Sequence, residues 1–204
     1  LVALGNVEVS GSASPLEVGR ALFVGDGVAY VGHFEGYSII DVSNPAAPVV
    51  TGVPPTTQLA VHDIAVNGSG LAIATTSFSG PSTFAVSLYD VSNPADVTRF
   101  ITTIPIPGES PHVALGAGIA FIAQGTEGLK VVNYLPFDAN GIAPTVSILP
   151  GGTDLDPVAP GFQVLEGASL PIRAIIQDDV QVRNVELLVN GVVQRNDVAY
   201  PFDL

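Results

Sequence analysis

Five residues, Asp41-Val42-Ser43-Asn44-Pro45, recur letter for letter 49 positions later as Asp90-Val91-Ser92-Asn93-Pro94. A repeat of this period restricts the chain to architectures assembled from copies of one supersecondary unit. An apolar run precedes each copy: Tyr37-Ser38-Ile39-Ile40 in the first and Val86-Ser87-Leu88-Tyr89 in the second. Leu129-Lys130-Val131-Val132-Asn133 is a weaker third copy, with asparagine in place of the aspartate. A second element keeps step. Gly25-Asp26-Gly27-Val28-Ala29-Tyr30-Val31 matches Gly68-Ser69-Gly70-Leu71-Ala72-Ile73-Ala74 and Gly116-Ala117-Gly118-Ile119-Ala120-Phe121-Ile122, at spacings of 43 and 48 residues. Each unit therefore reads as a Gly-x-Gly turn between two strands, a third strand, the pentapeptide turn and a fourth strand. That is the content of a propeller blade.

The residue types suit those places. Gly-x-Gly supplies the positive φ of a tight hairpin. Asp and Asn side chains accept hydrogen bonds from nearby backbone N–H groups, and the proline holds the residue before it extended and ends the strand. Asp41 and Asp90 could be ligand carboxylates. Their recurrence at one place in the repeat favours turn caps instead.

Composition agrees with an all-β chain. Hydrophobic residues make up 47% and charged residues 12%, so the chain has ample material for a core. The 22 Gly and 17 Pro, with short apolar runs and no stripe at helical spacing, predict many short strands and negligible helix. The net charge of −13 argues against nucleic acid and against an anionic membrane surface. No apolar run approaches the roughly 20 residues needed to span a bilayer, so no membrane insertion of this segment is expected. With no cysteine, disulfides, thiolate metal sites and cysteine nucleophiles are excluded. Because the chain begins at Leu1 and contains no methionine, it is expected to have lost its natural start.

The two pentapeptides with their Gly-x-Gly partners resemble the LVIVD repeat, over roughly residues 15 to 137. That resemblance implies a β-propeller and an exported protein of bacterial or archaeal surfaces, with no particular activity. About three blades are expected, too few to close a ring, and residues 1 to 14 read as the last strand of a preceding blade. Beyond Asn140 the repeat stops. Leu170, Ile172, Ala174 and Ile176 alternate onto one strand face, and Asn190-Gly191 between Val185–Val189 and Val192–Gln194 is a strong hairpin signal. This stretch resembles bacterial immunoglobulin-like modules, which need about seven strands. The expected organisation is a partial β-propeller over 1–141 and an incomplete immunoglobulin-like β-sandwich over 142–204.

Candidate chemistry is sparse. His62 and His112 both precede a Gly-x-Gly pair, where an innermost strand begins, and could share a metal or ligand site; His33 is out of register with them. Asp154, Asp156, Asp178 and Asp179, with Glu166, form the densest acidic set, on turns, where calcium finds flexible oxygen ligands. They are the expected metal residues if calcium binds. The Asp-x-Asp-x-Asp-Gly pattern is absent, and solvated turns are the alternative. No Gly-x-Ser-x-Gly, paired carboxylate or phosphate loop stands out. The expected function is a non-catalytic structural or adhesive module of an exported, extracellular multidomain surface protein. It would act through assembly with other copies or other domains of its parent. The alternatives are a carbohydrate- or peptide-binding propeller module near Tyr30, Phe34 and Tyr37, or a piece of a propeller enzyme.

Overall fold

The computed structural model describes residues 2–9, 21–53, 59–77, 84–106, 112–134, 141–180 and 182–204. The fold is all-β. Strands β1 (Leu22–Gly25), β2 (Val28–His33), β3 (Gly36–Asp41) and β4 (Val49–Gly52) form one antiparallel meander. Strands β5 (Ala60–Val66), β6 (Leu71–Ser77), β7 (Phe84–Asp90) and β8 (Phe100–Ile106) form the second. The third sheet has three strands, β9 (His112–Gly116), β10 (Ile119–Ala123) and β11 (Leu129–Val132). Among the described residues the only helix is the 3-10 turn Gly125–Glu127, and none is long and apolar enough to cross a membrane.

The two repeated motifs lock onto each other inside each of the first two sheets. Val42 N–H donates to Gly27 O at 2.7 Å, and Val91 N–H donates to Gly70 O at 2.7 Å. The aspartates are turn caps: Asp41 Oδ1 accepts from Ser43 N and Oγ, and Asp90 Oδ1 from Ser92 N and Oγ. Asn44 and Asn93 accept from the amides of Ala46 and Ala95. Asp26-Gly27 and Ala117-Gly118 have positive φ and make two-residue hairpins, as their sequences predict. The second sheet differs. Val66 pairs with Ala72, and Asn67 Oδ1 gathers the Ser69 and Leu71 amides inside a longer connection.

The three sheets stack face to face, and strands β5 to β7 of the middle one are buried on both sides while its outer strand β8 is largely exposed. From it, Ile64, Val66, Ala72 and Ala74 enter a core with Tyr30, Tyr37 and Ile39 of the first sheet. Ala65, Ile73, Val86 and Leu88 enter another with Val113, Ala120 and Ile122 of the third. Each such side chain contributes about 1.5–3 kcal/mol relative to an exposed one. Two-sided burial explains why the strands read as continuous apolar runs rather than alternation. With its LVIVD-like units the stack is consistent with a propeller-like fold, as the repeats predict.

After residue 141, β12 (Thr145–Pro150) pairs with β13 (Ile172–Gln177), and β14 (Val185–Val189) pairs with β15 (Val192–Asp197) through the Asn190-Gly191 turn, both residues at positive φ. Ala174, Ile176, Val185 and Phe202 make a small core. Only four strands stand among the described residues here, short of the seven of a complete sandwich.

Outer strands carry the contact between successive sheets. A Cβ on Gly52 of β4 would lie 2.6 Å from Val97 Cγ1 and 2.8 Å from Pro94 O, in the pentapeptide turn of the next sheet. Gly52→Ala should therefore cost about 1–3 kcal/mol by overpacking. Urea unfolding measures it, with Gly128→Ala unsuitable as a control because its φ is +81.

The Asp41 and Asp96 carboxyls are held below the ordinary value of 3.8, chiefly by the Ser43 and Thr98 hydroxyls and then by the amides of the same residues. The native chain thus binds fewer protons in acid than the unfolded one. This contribution is complete above 3.8 and is lost as the pH falls through the lowered values. The stability gap between wild type and the Asp41→Asn, Asp96→Asn double variant should be present at neutral pH and narrow in acid. Denaturant unfolding across a pH series checks the sign.

Candidate functional site

Sheet register shows what the histidines do. Ala29, Ala72 and Ala120 hold one place in the repeat, so His33, Thr76 and Gln124, each four residues on, hold another. All three are buried. His33 Nδ1 accepts from the Glu35 amide at 3.2 Å, so the neutral ring donates from Nε2 to Ser38 Oγ at 3.1 Å. In the next sheet Thr76 Oγ1 bonds Ser87 Oγ at 2.8 Å, and Ser87 is the repeat counterpart of Ser38. A threonine does in one sheet what the histidine does in the other. His33 is a buried hydrogen-bonding residue at the place of Thr76 and Gln124, and so is out of register with His62 and His112, as the sequence suggests.

His62 and His112 are not equivalent either. Asp63 faces Thr75 and His112 faces Ala123, which makes His112 the counterpart of Asp63. His62 falls in a bulge between Val61 and Asp63, a register shift that counting from the Gly-x-Gly turns did not reveal. His62 Nε2 bonds Ser77 Oγ at 2.7 Å, and its ring lies edge-on to Phe84 at 5.4 Å. His112 Nδ1 reaches Asp63 Oδ2 at 3.3 Å and is mostly exposed, so that pair adds little. Asp63 does more: the same oxygen accepts the Val113 amide at 2.9 Å, tying β5 to β9 across the seam between sheets.

The aromatic trio does not line a pocket. Tyr30 and Tyr37 are buried in the core between the first two sheets, while Phe34 is exposed on the turn between β2 and β3. Burial, with the Asp26 charge second, pushes the Tyr30 phenol up to about 12. It stays protonated at neutral pH. A residue that periodicity did not single out, Tyr200, instead covers the turns. Its ring stacks on Phe23 with centroids 6.0 Å apart. A Cβ on Gly25 or Gly68 would fall 2.4 or 2.5 Å from that ring. Gly25 is thus demanded by the ring rather than by the hairpin, whereas Gly68 answers both to the ring and to its own φ of +80. Arg173 pairs with Asp26 at 3.2 Å, and the Ala117 amide donates to Val198 O at 2.7 Å. The second region therefore touches the Gly-x-Gly turns of all three sheets. A groove of about 440 Å³ runs beneath it, bordered by Tyr30, Ser69, Ser92, Gln177, Asp178 and Tyr200.

The four aspartates named for calcium lie on turns, as expected, and two are tied into their own loop. Asp154 Oδ1 accepts from Asp156 N and Gln163 N, and Asp156 Oδ1 from Val158 N. Asp178 Oδ2 accepts from Val180 N. Among the described residues no three His, Asp or Glu side chains are grouped so as to hold a metal, so Asp154, Asp156, Asp178 and Asp179 are not brought to one site.

What remains are sheet edges and faces. On β11, Leu129 and Val131 are each 62% exposed; on β12, Val146 is 59% and Ile148 63% exposed. Among the described residues β11 pairs only with β10, and β12 only with β13.

Removing the seam bond should loosen one sheet pair selectively. Asp63→Ala is expected to lower protection of the Val113 amide and to cost about 1–3 kcal/mol, the penalty for a buried donor left unsatisfied. His112→Gln should leave that protection unchanged. Hydrogen exchange of the two variants reads both.

Residues 11–53, ending one residue beyond β4, match the family model described as the LVIVD repeat. No curated protein and no solved structure matches the chain. The chain is thus similar to the LVIVD repeat over its first described sheet, within an all-β array of antiparallel sheets.

Proposed function

We propose that the chain is a non-catalytic structural or adhesive module of an exported surface protein and works through protein–protein assembly. The observation that carries this reading is the exposed apolar surface on open sheet edges, at Leu129, Val131, Val146 and Ile148. Edges of this kind invite pairing unless they are covered. The non-catalytic part is supported by the histidines: His33, His62 and His112 are each engaged in hydrogen bonds within or between the sheets.

Export is supported by the surface-protein setting that the LVIVD-like repeat implies, with no cysteine and net charge −13. The region after residue 142 is read as part of an immunoglobulin-like module, on the strength of its two small antiparallel sheets over the core of Ala174, Ile176, Val185 and Phe202. A second reading, a binding module, is favoured by the groove between Tyr30 and Tyr200.

Sedimentation velocity over a broad concentration range separates the two. The assembly reading expects species larger than the 20.8 kDa chain, unchanged by His62→Ala or His112→Ala. A solitary monomer that takes up a glycan or peptide in the groove would transfer the assignment to the binding reading.

A further inference from the structure

Asparagine precedes glycine at three places, Asn67-Gly68, Asn140-Gly141 and Asn190-Gly191. Glycine has no side chain to shield its amide nitrogen, so at such a pair that nitrogen approaches the carbonyl carbon of the asparagine side chain with least hindrance. Asn44 and Asn93 of the repeated turns precede proline, whose nitrogen carries no hydrogen and cannot react in this way. Asn140 lies outside the described residues. The fold treats the other two pairs in opposite ways.

Asn67 is held. It is 6% exposed, and its Oδ1 accepts the Ser69 amide at 2.9 Å and the Leu71 amide at 3.1 Å. Gly68 lies under the Tyr200 ring, 2.5 Å from where a Cβ would stand, with Phe202 at 3.0 Å. Swinging the Asn67 side chain onto the Gly68 nitrogen breaks two hydrogen bonds and disturbs that aromatic contact. Asn190 is placed differently. Val189, Asn190, Gly191 and Val192 are all exposed at the tip of the β14–β15 hairpin, and a Cβ on Gly191 would meet nothing within 4 Å. Opening the tip breaks the terminal pair, Val189 with Val192, while the buried Val185 sits at the far end of β14. Such local opening uncovers no core and costs little.

We infer that Asn190 is a site of spontaneous covalent modification, converting to isoaspartate and aspartate in the folded chain while Asn67 is spared. In the first step the Gly191 nitrogen bonds to Asn190 Cγ. The side-chain nitrogen leaves as ammonia, carrying the proton that the glycine amide gives up, and a cyclic succinimide remains. Water then opens the ring. Addition at Cγ gives aspartate; addition at the main-chain carbonyl gives isoaspartate, whose backbone runs through Cβ and Cγ. Nothing is oxidised or reduced. Both products add a carboxylate to a chain already at −13. Isoaspartate also adds one backbone atom to a two-residue turn whose residues stand at φ 53 and 79. Because the turn sets the register of a hairpin, the pairs Val189 with Val192 and Leu188 with Val193 are lost with it. The reaction is independent of whether the chain assembles.

The full chain is incubated in mildly alkaline buffer, folded and in concentrated urea, then digested with trypsin and assayed for isoaspartate by enzymatic methylation and by mass. Cleavage after Arg20, Arg99, Arg183 and Arg195 leaves Asn67 in the peptide 21–99 and Asn190 in the peptide 184–195. In the folded chain, conversion in 184–195 should run at least about tenfold faster than in 21–99, because opening at Asn67 disturbs a core and opening at Asn190 does not. In urea the two rates should draw level. Asn190→Gly, which suits the same type of turn, should abolish the signal in 184–195. Converted chains, separated by their added charge, should lose hydrogen-exchange protection in β14 and β15 and keep it in β9. Equal rates in the folded chain, or conversion of 184–195 in urea alone, would overturn the assignment of Asn190. Unchanged protection in β14 and β15 after conversion would overturn the loss of register.

Discussion

The structure depends on a β-sheet being buried on both of its faces. Strands β5 to β7 place alternate side chains into two different cores, one shared with the sheet before and one with the sheet after. These three strands have no solvent face on which to place charge, in keeping with a chain of few charged residues whose short strands read as continuous apolar runs. At one place of successive sheets the repeat supplies partners for buried polar side chains. Thr76 meets Ser87, and His33 meets Ser38, at the same position of successive sheets. An unpaired polar group there would cost its full desolvation.

Packing of this kind also determines what the turns must be. The Gly-x-Gly hairpin and the pentapeptide turn meet through one backbone hydrogen bond, Val42 to Gly27 in one sheet and Val91 to Gly70 in the next. Their joint recurrence in the sequence is a consequence, since changing one alters the partner of the other. The sheets are then joined through contacts that tolerate little change in shape: the Asp63 carboxylate on the Val113 amide, and Gly52 under the Pro94 carbonyl. The second region adds a further tie, with Tyr200 lying across Gly25 and Gly68.

A stack of repeats with two-faced sheets has ends that resemble its interior. Phe121, Leu129 and Val131 are exposed at the places where the second sheet carries Ile73, Val86 and Leu88 into a core. The same reasoning joins the fold to the function proposed for the chain. An interface that continued the repeat would use packing already present between the sheets of one copy. The acidic charge, spread over turns and tails, supports solubility while apolar edges stay uncovered.

The residues themselves determined the repeat, its strands and its turns, because those follow from local requirements: positive φ at Gly27 and Gly118, side-chain caps at Asp41 and Asp90, and two-residue alternation in β13. The Asn190-Gly191 hairpin was legible for the same reason. The roles of the histidines were not. A single bulge at His62 moves the register by one residue and makes Asp63, not His62, the counterpart of His112. Tyr30 and Tyr37 looked like a binding surface until the second sheet packed over them. Tyr200 and Gly52 acquire their meaning from residues far away in the chain, which no local pattern encodes. Tertiary structure decided these points because burial, bulges and close approaches depend on which surfaces meet, and that depends on the stacking of whole sheets.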